Sequence, residues 1–448
     1  MREIYKRSQI AVTVWILGCC KWETRKNFGR SFPFSVYCQE GYVLRVNRNF
    51  TCLDESYFFQ DIASRIIEFS KAHPSADIIK MGIGDVTLPL SDHVVEAMER
   101  AAREMKSTDT FRGYGPHEGY GFLRDAICTY YDNRQIVVET DEIFVSDGAK
   151  SDVSGILDLF APGRVALVPD PVYPVYVDSN IISGNTVICL PGIPENNFVP
   201  KPDYGIRADL IYLCSPNNPT GAAYTVGELE IWVDYAERCD AVILYDCAYE
   251  SFIRSGKPTS IYQIEGAKSC AIEIGTLSKM AGFTGTRCGY TIVPKDLVRD
   301  NASLNRLWDR RQATKTNGVS YIIQKGAQAA LSQQGLAKAR ECIDCYMENA
   351  KIICDTLQDI DIWHTGGEDA PYVWLKCPGG MSSWAFFDKL LEVVGVAGTP
   401  GVGYGGQGEG FFRLSAFSSK ENTIEAMRRI KESFRFLGNY TKNGHKLP

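Results

Sequence analysis

Across residues 91–105, apolar side chains recur at Val94, Val95, Met98, Ala101 and Ala102, with Glu96, Glu99, Arg100 and Arg103 opposite them. This spacing predicts a helix with one face turned to a core. Further along, short unbroken apolar runs alternate with helical stretches. Residues 143–145, 165–168, 210–214, 241–245 and 271–275 read as strands, and residues 226–239 and 319–332 as helices. Strands that are apolar at every position, separated by helices, predict a mostly parallel sheet covered on both faces. From about residue 335 the rhythm changes. A helix is expected over 336–358, a strand over 372–375, a helix over 382–394, a glycine-rich stretch over 398–410, a strand over 411–415 and a last helix over 420–436. That tail reads as a second, smaller α/β region.

Residues 1–42 break the pattern. Arg2, Lys6 and Arg7 precede an apolar run from Ile10 to Cys20, which is similar to the start of a secretory signal and too short to span a bilayer. No small-x-small cleavage site follows, so an upstream start or a dispensable extension is the preferred reading. Composition narrows the picture further. A chain of 448 residues buries about three-quarters of its unfolded surface and needs no covalent staples. Its net charge of −6 gives no basic excess for nucleic acid. The 15 cysteines are irregularly spaced, several in apolar runs, which reads as free thiols in a reducing cytoplasm rather than a disulfide framework. Cys342 and Cys345 form a CxxC without a second pair, and the five histidines are scattered, so no metal site is expected.

Candidate chemistry collects where strands end. In open α/β sheets, ligands gather beyond the carboxyl ends of the strands. Strand 210–214 runs into Ser215-Pro-Asn-Asn-Pro-Thr-Gly221; strand 241–245 ends at Asp246, with Tyr249 three residues on. Strand 271–275 leads into Thr276-Leu-Ser-Lys279, with Arg287 eight residues later, and strand 143–145 into Ser146-Asp-Gly-Ala-Lys150. Singly, each is an ordinary turn, cap or solvated charge. Together they place an anion cradle, a buried acid, a phenol, an amide and one lysine at one sheet edge. That inventory fits pyridoxal phosphate. Its aldehyde needs a lysine amine, its ring nitrogen a carboxylate, its phosphate Arg and N–H donors, and its 3-oxygen hydroxyl and amide donors.

Asn218, Asp246, Tyr249, Lys279 and Arg287 stand at successive spacings of 28, 3, 30 and 8. The pattern resembles the class I/II, fold-type I aminotransferases, over about residues 43–437. Gly82-Ile-Gly-Asp-Val-Thr87, Phe111-Arg-Gly-Tyr-Gly115, Asp170-Pro-Val-Tyr-Pro-Val-Tyr176, Ala281-Gly-Phe-Thr-Gly285 and Phe411-Phe-Arg-Leu-Ser415 are similar to the branch that acts on LL-diaminopimelate in lysine biosynthesis. The resemblance implies a large domain (91–325) with a seven-stranded, mostly parallel sheet. A smaller α/β domain would be built from 43–90, which includes an N-terminal arm, and 326–448. Lys279 would bind the cofactor aldehyde and Asp246 the ring nitrogen; Tyr249 and Asn218 would hold the 3-oxygen, with Tyr173 stacked on the ring. Arg287, Ser278, Thr276 and the amides of Ala149 and Lys150 would cradle the phosphate. Tyr114 would reach the phosphate of a neighbouring subunit, making the active unit a homodimer with shared sites. Arg413 would grip the substrate α-carboxylate. Tyr57, Gly84, Lys150, Tyr173, Asn218 and Asn317 would also meet the substrate, Asn317 the cofactor as well. The partners implied are small amino and 2-oxo acids, with no nucleic acid or membrane.

The chain departs from the branch in one loop, Gly113-Tyr-Gly-Pro-His-Glu-Gly119, where His117 takes the place of a Glu expected at the distal ammonium. Three other readings stand beside diaminopimelate: an aminotransferase for another amino acid, a carbon–sulfur lyase of the same fold, and, remotely, a non-catalytic cofactor-sensing regulator.

Overall fold

A computed structural model describes residues 44–442, except 54–56 and 83. The expected N-terminal extension, 1–42, lies outside the described residues. The chain divides after Val46, and its second unit is Asn47–Pro448.

The centre of this second unit is a seven-stranded sheet in the order Ile143–Ser146, Gly289–Ile292, Ala271–Thr276, Val242–Asp246, Leu210–Cys214, Val165–Asp170, Thr186–Pro191. Gly289–Ile292 runs antiparallel to both neighbours, and the other pairings are parallel. The mostly parallel sheet expected from the sequence is therefore present. All residues of Leu210–Cys214 and Val242–Asp246 are buried, because layers cover both faces. The Val226–Cys239 helix covers one face and starts at a capping box in which Thr225 and Glu228 satisfy each other's backbone N–H groups. Trp308, from the Leu304–Lys315 helix, packs with Leu210, Leu244 and Ile272 on the other face.

A second, antiparallel sheet has the order His364–Gly366, Tyr372–Lys376, Phe411–Ser415, Thr399–Pro400. In its register Trp374 and Thr399 both lie opposite Arg413. The 27-residue helix Gln333–Asp359 sends Ile343 and Tyr346 into one core, and Ala350, Ile353 and Leu357 into the core beneath this second sheet.

Three expectations need correction. The helix Asp92–Glu104 buries Val94 and Ala101, but Val95 and Ala102 are exposed, because the stripe faces one helix, Tyr321–Ala330, where Met98 packs over Gly326. The helix expected over 382–394 is α-helical only at Ser383–Lys389 and closes in a π-turn, Leu390–Val394, ended by Gly395 in the left-handed region. The last helix, Lys420–Lys442, outruns its expected end at 436.

Candidate active site

Register brings the strand ends together. Cys214 pairs with Asp246, Asp246 with Ile274, and Thr276 with Gly289, which also faces Ser146. Beyond this edge lies a cavity of about 410 Å³. Its walls include Lys279, Asp246, Asn218, Tyr249, Tyr173 and Arg413, and also Gly84, Ala149, Lys150, Thr276, Ser278 and Arg287.

Lys279 sits in the short helix Leu277–Met280, which starts where Thr276 Oγ1 accepts from the Ser278 amide. Its Nζ donates to the Gly84 carbonyl. Burial pulls its pKa down to about 8; nearby Arg413 and Arg287 act in the same direction, while Asp85 opposes. At neutral pH the unprotonated fraction of the amine is therefore far larger than for an ordinary lysine.

Asp246 is buried and held by two donors. Tyr176 Oη donates to Oδ2 at 2.7 Å, and the Ala248 amide to Oδ1 at 3.0 Å. Burial pushes its pKa up, which suits a carboxylate that shares a proton with a cationic ring. Arg413 is buried as well. One arm of its fork donates to Asn218 Oδ1 and the other to the Gly82 carbonyl, each at 2.6 Å. Its Nε is buried and meets no acceptor among the described residues. Such a fork matches a carboxylate. Because Asn218 Oδ1 is taken by Arg413, the amide presents its NH2 as the donor.

The residues expected to cradle an anion line the same cavity. Arg287 has φ 66° and donates to the Thr284 carbonyl at 2.9 Å. Thr276 Oγ1 meets Ser278 Oγ at 2.9 Å. Gly148 stands at φ 136°, and a Cβ there would lie 2.6 Å from Arg287 Nη2, so glycine is needed for the turn and for the arginine.

Three expected residues stand outside the cavity wall. Tyr57 caps the Phe58–Ala72 helix, with Lys150 Nζ 4.9 Å above its ring. Tyr114 is 89% exposed and Asn317 is exposed. His117 contacts Asp309 at 2.8 Å and Glu118 at 3.5 Å, while Glu118 pairs with Arg124. Sequence reasoning gave no role to Asp85, Tyr176 or Tyr372, which line the cavity. Tyr176 lies within a stretch that carried the family resemblance. Tyr372 had no signal, because its partner Tyr249 is 123 residues away.

The model of the class I and II aminotransferases matches residues 76–430. The chain belongs to this family. A curated relative, the LL-diaminopimelate aminotransferase of Parabacteroides distasonis, is 50% identical over 407 residues, 87% of this chain and 99% of the relative. The solved L,L-diaminopimelate aminotransferase of Chlamydomonas reinhardtii is 39% identical, with a TM-score of 0.82, over 88% of this chain and all of its own. Substrate-bound BacF of Bacillus subtilis is 26% identical, with a TM-score of 0.77, over 88% of this chain and 98% of its own. The fold of this aminotransferase is thus the fold-type I architecture. Among its described residues no three His, Cys, Asp or Glu side chains form a metal-binding group, and no helix is long and apolar enough to cross a membrane.

Proposed function

We propose that this aminotransferase uses pyridoxal phosphate to interconvert LL-2,6-diaminopimelate and 2-oxoglutarate with tetrahydrodipicolinate, water and glutamate, as a step of lysine biosynthesis. The observation that carries the reading is the pairing, across one cavity, of a lysine with a depressed pKa and a buried arginine fork. These are the groups needed to bind an α-amino acid by its carboxylate while a proton leaves its Cα. The substrate rests on the 50% identical relative.

The residues fit the cofactor. Arg287, Thr276, Ser278 and the Ala149 and Lys150 amides would hold the phosphate; Asp246 the ring nitrogen; Tyr249 and Asn218 the 3-oxygen; and Tyr173 the ring face. The bound group supplies an electron sink for the charge that develops at Cα. Lys279 Nζ would take the Cα proton as general base and, as general acid, return it to the cofactor's former aldehyde carbon, which lies beyond the amino nitrogen. Tyr176 and the Ala248 amide keep Asp246 aimed throughout. Arg413 fixes the carboxylate, and with it the Cα–H bond. Gly84 brings its backbone to the substrate: a Cβ there would lie 3.0 Å from Tyr372 Oη.

Tyr114, exposed and outside its own cavity's wall, would serve the partner's site in a homodimer, with Tyr57 and Asn317 as further substrate contacts. One experiment tests lysine and dimer together. Lys279→Ala alone should show no transfer from LL-diaminopimelate to 2-oxoglutarate. Co-assembled with Tyr114→Ala, itself impaired, it should regain activity, since each mixed dimer holds one site with both residues intact. Turnover by Lys279→Ala alone refutes the lysine, and no regain refutes the sharing. A second reading, transfer from a different amino acid, is favoured by one observation. The loop acid Glu118 is engaged by Arg124 and His117, where a glutamate was expected at position 117.

A further inference from the structure

Tyr249 and Tyr372 reach the cavity from different sheets. Tyr249 follows the end of the Val242–Asp246 strand, and Tyr372 opens the Tyr372–Lys376 strand of the second sheet. Their hydroxyls stand 2.6 Å apart, and both residues are buried. The face of the Tyr372 ring carries a second contact, with the Arg413 guanidinium carbon 4.3 Å from its centre. The same hydroxyl would be 3.0 Å from a Cβ at position 84, so it also marks how closely the Gly84 backbone can approach.

Two hydroxyls at hydrogen-bond distance share one bond but own two protons. If Tyr249 donates to Tyr372, no phenolic proton is left on Tyr249 for a ligand. If Tyr372 donates to Tyr249, the Tyr249 proton is free to point into the cavity, and the bond it receives makes it a stronger donor. The second arrangement is the one that a negative oxygen in the cavity would select.

We propose that Tyr372 is a positioning residue with two tasks: its hydroxyl donates to Tyr249 and so directs the Tyr249 proton to the cofactor oxygen, and its ring supports the Arg413 guanidinium that grips the substrate carboxylate. The first task rests on the cofactor reading above; the second rests only on Arg413. Tyr372 thereby ties cofactor recognition to carboxylate recognition through one side chain of the second sheet.

Tyr372→Phe and Tyr372→Leu separate the tasks. Phenylalanine keeps the ring and the packing and removes only the hydroxyl. The visible chromophore of the cofactor-loaded protein is titrated against pH. A weaker Tyr249 donor stabilises the negative oxygen less, so the Phe variant should hold its proton to higher pH, by about half a unit. Succinate binding to the full-length protein as purified, measured by calorimetry, reads Arg413. It should be unchanged in Tyr372→Phe and weaker by about fivefold or more in Tyr372→Leu, which loses the aromatic face. A wild-type titration in the Phe variant overturns the first task, and wild-type succinate affinity in the Leu variant overturns the second. Wild-type protein that forms no chromophore with pyridoxal phosphate would instead refute the cofactor reading, and with it the first task; the succinate arm still decides the second.

Discussion

At Lys279, burial does two things at once. It gives the amine a neutral fraction at physiological pH, and it costs the fold stability while the amine is charged. The folded pKa of about 8 lies below the ordinary 10.5. Below pH 8 both folded and unfolded chains carry the proton, and the penalty is felt in full. Between pH 8 and 10.5 the unfolded chain binds more protons than the folded one, so stability rises with pH across that window. The full difference is of order 3 kcal/mol. In cofactor-free protein, thermal melting of wild type and Lys279→Met should therefore converge as pH rises from 8 to 10. A constant gap would mean that the amine is not buried as described. Asp246 shows the converse logic: burial raises its pKa, while Tyr176 and the Ala248 amide pull it back and fix both oxygens.

At the scale of elements, the site depends on strand ends and on the turns that leave them. Gly289 lies between Ser146 and Thr276, and a Cβ there would come 2.7 Å from the Gly148 Cα. Two glycines thus allow the turn after Ile143–Ser146 to close over the sheet edge and leave room for Arg287. Gly148→Ala should displace Arg287 and weaken pyridoxal phosphate binding by about tenfold or more, the loss of one charge-assisted hydrogen bond, as read by fluorescence titration. Unchanged affinity would remove Arg287 from the cradle. The same strands explain what was legible. Leu210–Cys214 and the Val226–Cys239 helix match their expected bounds, because the first is buried at every position and the second has a capping box written in its sequence. Thr186–Pro191 was not read as a strand, although Val187 to Leu190 form an apolar run: it lies at the sheet edge, and only Leu190 of the run is buried. Gly289–Ile292 was missed because four residues that include a glycine and a threonine carry too little pattern. Lys279, Asp246, Asn218 and Tyr249 could be named because each follows a readable strand. Tyr372 could not, because its role exists only where two distant strands meet.

Across the whole molecule, the site is assembled from both sheets and from the segment that passes between them. Residues 79–80 pair with Val396–Ala397, and Ser415 donates to the Met81 carbonyl. The next residues then give the Gly82 carbonyl to Arg413 and the Gly84 carbonyl to Lys279. One short stretch thus touches the carboxylate fork from one sheet and the lysine from the other. If Lys279 and Arg413 act as proposed, this stretch couples the amine that would meet the cofactor to the fork that would hold the carboxylate. The most direct test is a half-reaction. Purified protein loaded with pyridoxal phosphate is mixed with LL-diaminopimelate alone, and the cofactor spectrum is followed, with meso-diaminopimelate, lysine, glutamate and phenylalanine in parallel. Rapid conversion to the amino form of the cofactor is expected with LL-diaminopimelate and glutamate only. Conversion by glutamate and another amino acid, but not by LL-diaminopimelate, would contradict the substrate and leave an aminotransferase for that other amino acid.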